Sequence, residues 1–334
     1  MKLSSPLEVH IELTYRCNHN CIFCYNSSSP SRKEFMKKDI IDKLLGEIIY
    51  NKVFAVSLGG GEPFLYLYLE DLINLLYESR ISVLVNTNGR LLKESKLELL
   101  SKISLIMLSL HTLDEKIYQK LTGMKIDPVL ASLSFLKLEG FSDKTQAVFV
   151  VTNSNIDQIA RSIEELYARY DIDKISLLRP IRAGRAVDSW NKIKITRQEI
   201  LDLLYKIKDM GFAKNVTLDE AFRPIFTEVP SGYQLMVSDF DRPCPINKLI
   251  FHPNGDAAPC FYSQIVLGNI MHFSLQEIWS RIFDLDLYKN FPTNMPEKCR
   301  DCPAFNLCKG GCRISALLEE GDFYGVDPFC SGES

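Results

Sequence analysis

Six short runs of apolar and β-branched residues alternate with longer stretches of helical periodicity over the first two thirds of this chain, and that alternation leaves few folds open. The runs are VHIEL from Val9, VFAVSL from Val53, ISVLVN from Ile81, LIMLSL from Leu105, QAVFVV from Gln146 and KISLLR from Lys174. Between them lie DIIDKLLGEIIY, LEDLINLLYES and NIDQIARSIEELYARY. Strands that alternate with helices pair in parallel, so the pattern predicts an α/β fold with six βα repeats, a partial (β/α)6 TIM-like barrel. A further helix, TRQEILDLLYKIKDM, is expected to start on Thr196 as its N-cap. After Gly211 proline, aromatic and cysteine content rises and periodicity fades, apart from SLQEIWSRI. A boundary is therefore predicted near residue 230, with a barrel over 1–230 and an irregular, cysteine-rich domain over 231–334.

Composition narrows the functions. The net charge of −3, with Lys and Arg spread along the chain, argues against a bulk electrostatic grip on nucleic acid. No N-terminal run is long enough for a signal-peptide core, and none reaches the ~18 apolar residues of a membrane span. The expectation is a cytoplasmic protein without a membrane partner. In that reducing compartment ten cysteines point to metal rather than to disulfides.

In barrels of parallel strands the chemistry collects on loops at the C-terminal strand ends. Here those loops carry TYRCNHNCIFCYN, GGGEP, NTNG, SLH, TNSN and RPIRAGRA, in strand order. Cys17, Cys21 and Cys24 are spaced C-x3-C-x2-C. Three thiolates on one loop suit a zinc ion with a fourth ligand from elsewhere, His19 lying between them, and equally an iron–sulfur cubane with one open iron. Spacing alone does not choose.

These three cysteines, with Phe23 before the last, resemble the signature of the radical S-adenosylmethionine (radical SAM) superfamily. Gly60, Gly61, Glu62 and Pro63 resemble that family's GGEP motif, and Asn88 and Ser109 fall in segments similar to those lining its SAM pocket. The resemblance implies an open iron that holds SAM, reductive cleavage of SAM to a 5′-deoxyadenosyl radical, and cofactor contacts from Phe23, Gly60, Gly61, Glu62, Pro63, Asn88 and Ser109. Glycines let backbone approach a ligand closely, and Glu62 offers a carboxylate to an ammonium group. Asn155 reads first as a helix N-cap, His111 as a structural histidine, and Arg179, Arg182 and Arg185 as clamps for a carboxylate or peptide backbone.

Seven cysteines remain: Cys244, Cys260, Cys299, Cys302, Cys308, Cys312 and Cys330. A bare C-x2-C suggests a zinc ribbon, but seven ligands do not divide into fours. The layout, with FHPNGDAAPC and LGNIMHFSLQEIW, resembles the SPASM domain, an extension of radical SAM enzymes that holds two auxiliary [4Fe–4S] clusters. If it holds, Cys299, Cys302, Cys308 and Cys330 ligate the outer cluster, and Cys244, Cys260 and Cys312 the inner one. The inner cluster then lacks a fourth thiolate, leaving that iron to substrate, water, or Asp239 or Asp241, each of which reads singly as a solvated-loop residue.

The resemblance implies three [4Fe–4S] clusters, SAM as cofactor, a flavodoxin- or ferredoxin-type electron donor, and hydrogen abstraction from a peptide or protein that leaves a crosslinked or oxidised residue. Because only sixteen residues precede Cys17, a peptide substrate is expected to need a separate leader-peptide-recognition protein or direct capture by the barrel. Sulfatase maturases carry an acidic residue after the second SPASM cysteine, where this chain has Phe261, which weakens that particular reading. Two alternatives stand beside it: radical oxidation or rearrangement of a small metabolite or haem precursor, and a non-catalytic, zinc-stabilised binding module.

Overall fold

A computed structural model describes residues 3–235 and 247–330; Cys244, Asp239 and Asp241 lie outside them. The chain runs β1 (Glu8–Thr14), α1 (Lys38–Tyr50), β2 (Ala55–Gly60), α2 (Leu69–Glu78), β3 (Ser82–Thr87), α3 (Leu97–Ser101), β4 (Leu105–Ser109), α4 (Glu115–Thr122), α5 (Asp127–Leu138) and β5 (Thr145–Val150). It continues through α6 (Ile156–Tyr170), β6 (Lys174–Leu178), α7 (Ala186–Ile193), α8 (Arg197–Asp209), β7 (Val216–Leu218), β8 (Gln234–Leu235), β9 (Lys248–Phe251), β10 (Asp256–Ala258), β11 (Gly268–Asn269) and α9 (Leu275–Arg281). Strands β1 to β8 pair in sequence order, each neighbour parallel. That is the partial TIM-like barrel.

All six predicted strands are present, and the sheet extends past both edges. Beyond β6 stand β7 and β8, of three and two residues, too short to leave a periodic signal. On the other side β9 runs parallel to β1, and β10 and β11 turn back antiparallel. Thr196 caps α8 as expected: its hydroxyl accepts from Glu199 N at 3.2 Å while Glu199 Oε2 accepts from Thr196 N at 2.6 Å. The same reciprocal box, Ser274 with Glu277, starts α9.

Two apolar cores lie outside the strands. Val9, Ile11, Leu13, Val56, Leu58, Val83 and Val85 pack against α1, α2 and α9, whose Trp279 is buried and donates from Nε1 to Leu3 O at 2.9 Å. Leu108, Ala147, Phe149, Ile175, Leu177 and Val216 pack against α5, α6 and α8. The inner face differs. In β3 and β4 the outward residues are buried, while Leu84, Asn86, Met107 and Ser109 retain partial exposure. Side chains alternate between faces along a strand, so this lumen stays open and partly polar, unlike the packed interior of a closed barrel. Among the described residues no helix is long and apolar enough to cross a membrane.

Candidate active site

The long loop after β1 carries the first cysteine group and is fastened from three sides. Cys17 N donates to Ser29 O, and Asn20 N and Ile22 N donate to Thr122 O and Leu121 O at the end of α4. From RPIRAGRA, Arg185 donates through N to Cys24 O (3.0 Å), through Nε to Cys21 O (2.9 Å) and through Nη2 to Ser28 O (2.5 Å). A Cβ on Gly184, which stands at φ +56°, would lie 2.3 Å from Tyr25 O. Arg185 therefore grips this loop rather than standing free as a clamp for a carboxylate, because its guanidinium is spent on backbone carbonyls.

All three thiols are half-buried. Burial pushes Cys17 up to about 12, and it raises Cys21 further with help from the charges of Cys24 and Cys17. Such thiols become thiolates only when cations share the site. Asn88 Nδ2 lies 3.7 Å from Cys17 Sγ and 2.6 Å from Asn18 Oδ1. Phe23 meets His111 edge to face with centroids 4.6 Å apart. His19 is buried and pushed down to about 4 by desolvation, with Arg90 adding to the effect.

The glycines after β2 serve the chain's own backbone. A Cβ on Gly61 would stand 2.1 Å from Arg16 O, and one on Gly60, at φ +103°, 2.5 Å from Thr14 O. Through this contact Gly61 N donates to Thr14 O and Glu62 N to Arg16 O. Pro63 opens the short turn that follows. Glu62 is fully buried; its Oε1 accepts from the Thr87 hydroxyl (2.8 Å) and Phe64 N (3.2 Å), and its Oε2 from Asn88 N (2.9 Å). Burial pushes its carboxyl up to about 7, against the pull of those donors. Glu62 thus ties the ends of β2 and β3 together behind the cysteine loop.

Ser109 ends β4 half-buried on the lumen side. Asn155 holds the N-cap position of α6 without a cap bond. Its Oδ1 accepts from Thr152 N and Nδ2 donates to His111 O (2.8 Å) and Val150 O (2.9 Å), which fastens β4 to β5. His111 accepts from Val150 N at Nδ1 (3.2 Å), a structural role.

Burial raises the Cys299, Cys308 and Cys260 thiols; the charges of Cys330 and Cys302 add to it at Cys299, those of Asp327, Cys299 and Cys330 at Cys308, and that of Cys312 at Cys260. Asp327 stands between the sets, with Oδ2 accepting from Cys312 N at 2.6 Å. Arg179 is buried against Asp327 (2.8 Å) and Glu319 (3.6 Å), an internal ion pair rather than a substrate clamp. Arg182 remains half-exposed.

One group was not expected. Glu12, fully buried in β1, accepts from the hydroxyls of Tyr25 (2.5 Å) and Tyr15 (3.0 Å), from Asn26 Nδ2 (3.1 Å) and from His252 Nδ1 (2.7 Å). The signal is legible in VHIEL, where His10 and Glu12 alternate with three apolar residues. His252 carried no signal, because its place depends on the pairing of β9 with β1.

Among the described residues no three His, Cys, Asp or Glu side chains gather tightly enough to hold one ion between them. A cluster binds each thiolate at a separate iron, and three soft thiols with no carboxylate among them fit that chemistry. The half-open lumen beside them fits a bound small molecule.

Comparison with known proteins finds relatives that span 98% of this chain. The Radical SAM superfamily model matches residues 11–166, and a model of an iron–sulfur cluster-binding domain, SPASM, matches residues 244–303. The chain is 26% identical over 342 residues to the mycofactocin maturase MftC of Mycolicibacterium smegmatis, covering 98% of this chain and 83% of that one. It is 26% identical over 348 residues to the PqqA peptide cyclase of Gluconobacter oxydans, covering 98% and 91%. The crystal structure of Streptococcus suis SuiB bound to S-adenosylmethionine matches with a TM-score of 0.76 at 25% identity, covering 98% of this chain and 78% of that one.

Proposed function

Because this chain belongs to the radical SAM superfamily and carries a C-terminal SPASM domain, an enzyme whose cofactors are SAM and [4Fe–4S] clusters, we propose that it matures a peptide or protein, leaving a crosslinked or oxidised residue. The observation that carries this reading is the match over 98% of the chain to a protein named for cyclising a peptide. Cys17, Cys21 and Cys24 hold the cluster that binds SAM. Cys299, Cys302, Cys308 and Cys330 hold the outer auxiliary cluster, and Cys260 and Cys312, with Cys244, the inner one. Beyond burial, the thiols of Cys21, Cys299, Cys308 and Cys260 are each raised by charges of cysteines in their own set, which supports that division.

When bound, SAM and its cluster supply reductive cleavage of SAM and removal of a hydrogen atom from the substrate. The chain's own residues position and enclose. Arg185 and the end of α4 fix the thiol-bearing loop, Gly60 and Gly61 let the second strand end lie against it, and Glu62 and Asn88 brace the third. Phe23 and His111 close the lumen beside the cysteines, and Ser109 offers it a hydroxyl. A flavodoxin- or ferredoxin-type donor would supply electrons, the auxiliary clusters held by the C-terminal cysteines would take up the electron that oxidation releases, and the peptide would be met by a separate leader-recognition protein or by direct capture in the barrel.

The test is anaerobic incubation of reconstituted enzyme with SAM, a strong reductant and each short peptide encoded beside its gene. A product lighter by two hydrogens, formed together with 5′-deoxyadenosine, is expected. Modification of a small metabolite and of no peptide contradicts the reading.

A further inference from the structure

Where β1 meets β9, the lumen side carries titratable side chains outside the cysteine sets. The parallel register sets Ile11 opposite Phe251, so the next residues, Glu12 and His252, stand side by side on the same face. His252 Nδ1 lies 2.7 Å from Glu12 Oε2; the Glu12 side chain is 1% exposed and that of His252 is 23% exposed. Burial pushes the Glu12 carboxyl up, but the bonds from His252 and Tyr25 outweigh it and hold the group below the usual carboxylate range. When the ring carries a single proton, a carboxylate at Nδ1 holds it there and leaves the lone pair on Nε2. Nε2 has no hydrogen-bond partner among the described residues, since every bond of this ring runs through Nδ1.

We propose that His252, oriented by Glu12, accepts the proton that the peptide loses when it is oxidised. This rests on the peptide-maturase reading. Joining a carbon to a heteroatom breaks one C–H and one X–H bond and forms C–X. One hydrogen atom leaves with the adenosyl group of SAM and one electron goes to an oxidised auxiliary iron–sulfur cluster. One proton remains, and it needs a base. An imidazole with one nitrogen tied to a carboxylate and the other without a hydrogen bond among the described residues, on a side chain that keeps 23% exposure, has the required arrangement. His10, nearest along β1, is buried and bonded to Ser57 Oγ (3.1 Å), and desolvation pushes it down to about 4, while His111 is buried and accepts from Val150 N. Phe261 beside it offers no base. The charged and titratable groups facing the Glu12–His252 pair are His10, Tyr15, Cys24 and Tyr25 from β1 and its loop, and Lys248 from β9. His252 is the catalytic group here and Glu12 a positioning residue.

Two measurements on the holoenzyme test this. Diethyl pyrocarbonate, which acylates reachable imidazole, should label His252 and spare buried His10, His19 and His111; an unlabelled His252 overturns the proposal whatever the substrate. With the peptide that wild type modifies, deuterated at the reacting carbon, H252A should lower mature product ~100-fold or more. Deuterium should still appear in 5′-deoxyadenosine, and added imidazole should restore product. E12Q should shift the pH profile of product formation without blocking deuterium transfer. H252A that makes product within about twofold of wild type, far short of what a general base contributes, or product loss that imidazole leaves unchanged, overturns the proposal. A wild type that modifies no peptide counts against the substrate reading, and the labelling result then decides His252.

Discussion

Arg179, the residue after β6, and Asp327, near the last cysteine, form an ion pair of 2.8 Å in which both side chains are 1% exposed. The guanidinium also donates to Ala221 O (3.0 Å) and stacks 3.8 Å from the centroid of Phe329, while Asp327 accepts from Cys312 N and Phe329 N. One pair therefore joins the barrel to the segment carrying the outer thiol set and Cys312 of the inner one. Removing one partner of such a pair strands a buried charge, at a cost of about 3–5 kcal/mol. R179M is expected to lose that stability in urea and to lose auxiliary iron before the iron at Cys17, Cys21 and Cys24, as read by iron analysis alongside 5′-deoxyadenosine formation. Full iron loading would contradict the expectation.

Two glycines predict opposite outcomes. G61A drives a methyl group to 2.1 Å from the Arg16 carbonyl, so the GGEP turn must leave the cysteine loop; lower stability and loss of SAM cleavage follow. G46A adds a methyl group to the middle of α1 with nothing within 4 Å, and should raise stability by about 0.5–1 kcal/mol. Urea midpoints of the two variants decide the point.

His111 makes folding sensitive to acid. Its burial pushes the imidazole down from 6.5 to about 3. Above pH 6.5 the ring is neutral folded or unfolded. As pH falls through that value the unfolded chain takes up a proton that the folded one refuses, and stability is lost. At pH 5 the loss is ~2 kcal/mol relative to pH 7.5. H111Q should show a smaller fall between those pH values by about that amount; equal slopes would show that the buried ring does not resist protonation.

The division of the C-terminal cysteines gives a spectroscopic expectation. C330A and C312A should each remove one auxiliary signal in paramagnetic resonance of the reduced protein, and the two lost signals should differ. Identical spectra would place Cys330 and Cys312 at one cluster.

Much of this was legible in the sequence because strand periodicity and cysteine spacing are local properties. The six strands, the capped helix after Thr196 and both motif-bearing loops needed only neighbours along the chain. What was not legible depends on register. Besides the SAM contact expected of them, Glu62 and the two glycines meet Thr14, Arg16, Thr87 and Asn88, strand ends that only the parallel sheet brings together. Arg179 and Arg185 looked like substrate clamps for the same reason: their acceptors lie 148 and 164 residues away in sequence. His252 beside Glu12 follows from β9 joining β1, a pairing no short window displays.

The most direct test of the account is SAM cleavage itself. Anaerobically reconstituted protein, with about twelve irons per chain if all three clusters are cubanes, should convert SAM to 5′-deoxyadenosine under strong reduction, and C24A should abolish it. Fully loaded wild-type protein that forms no 5′-deoxyadenosine would contradict the central claim.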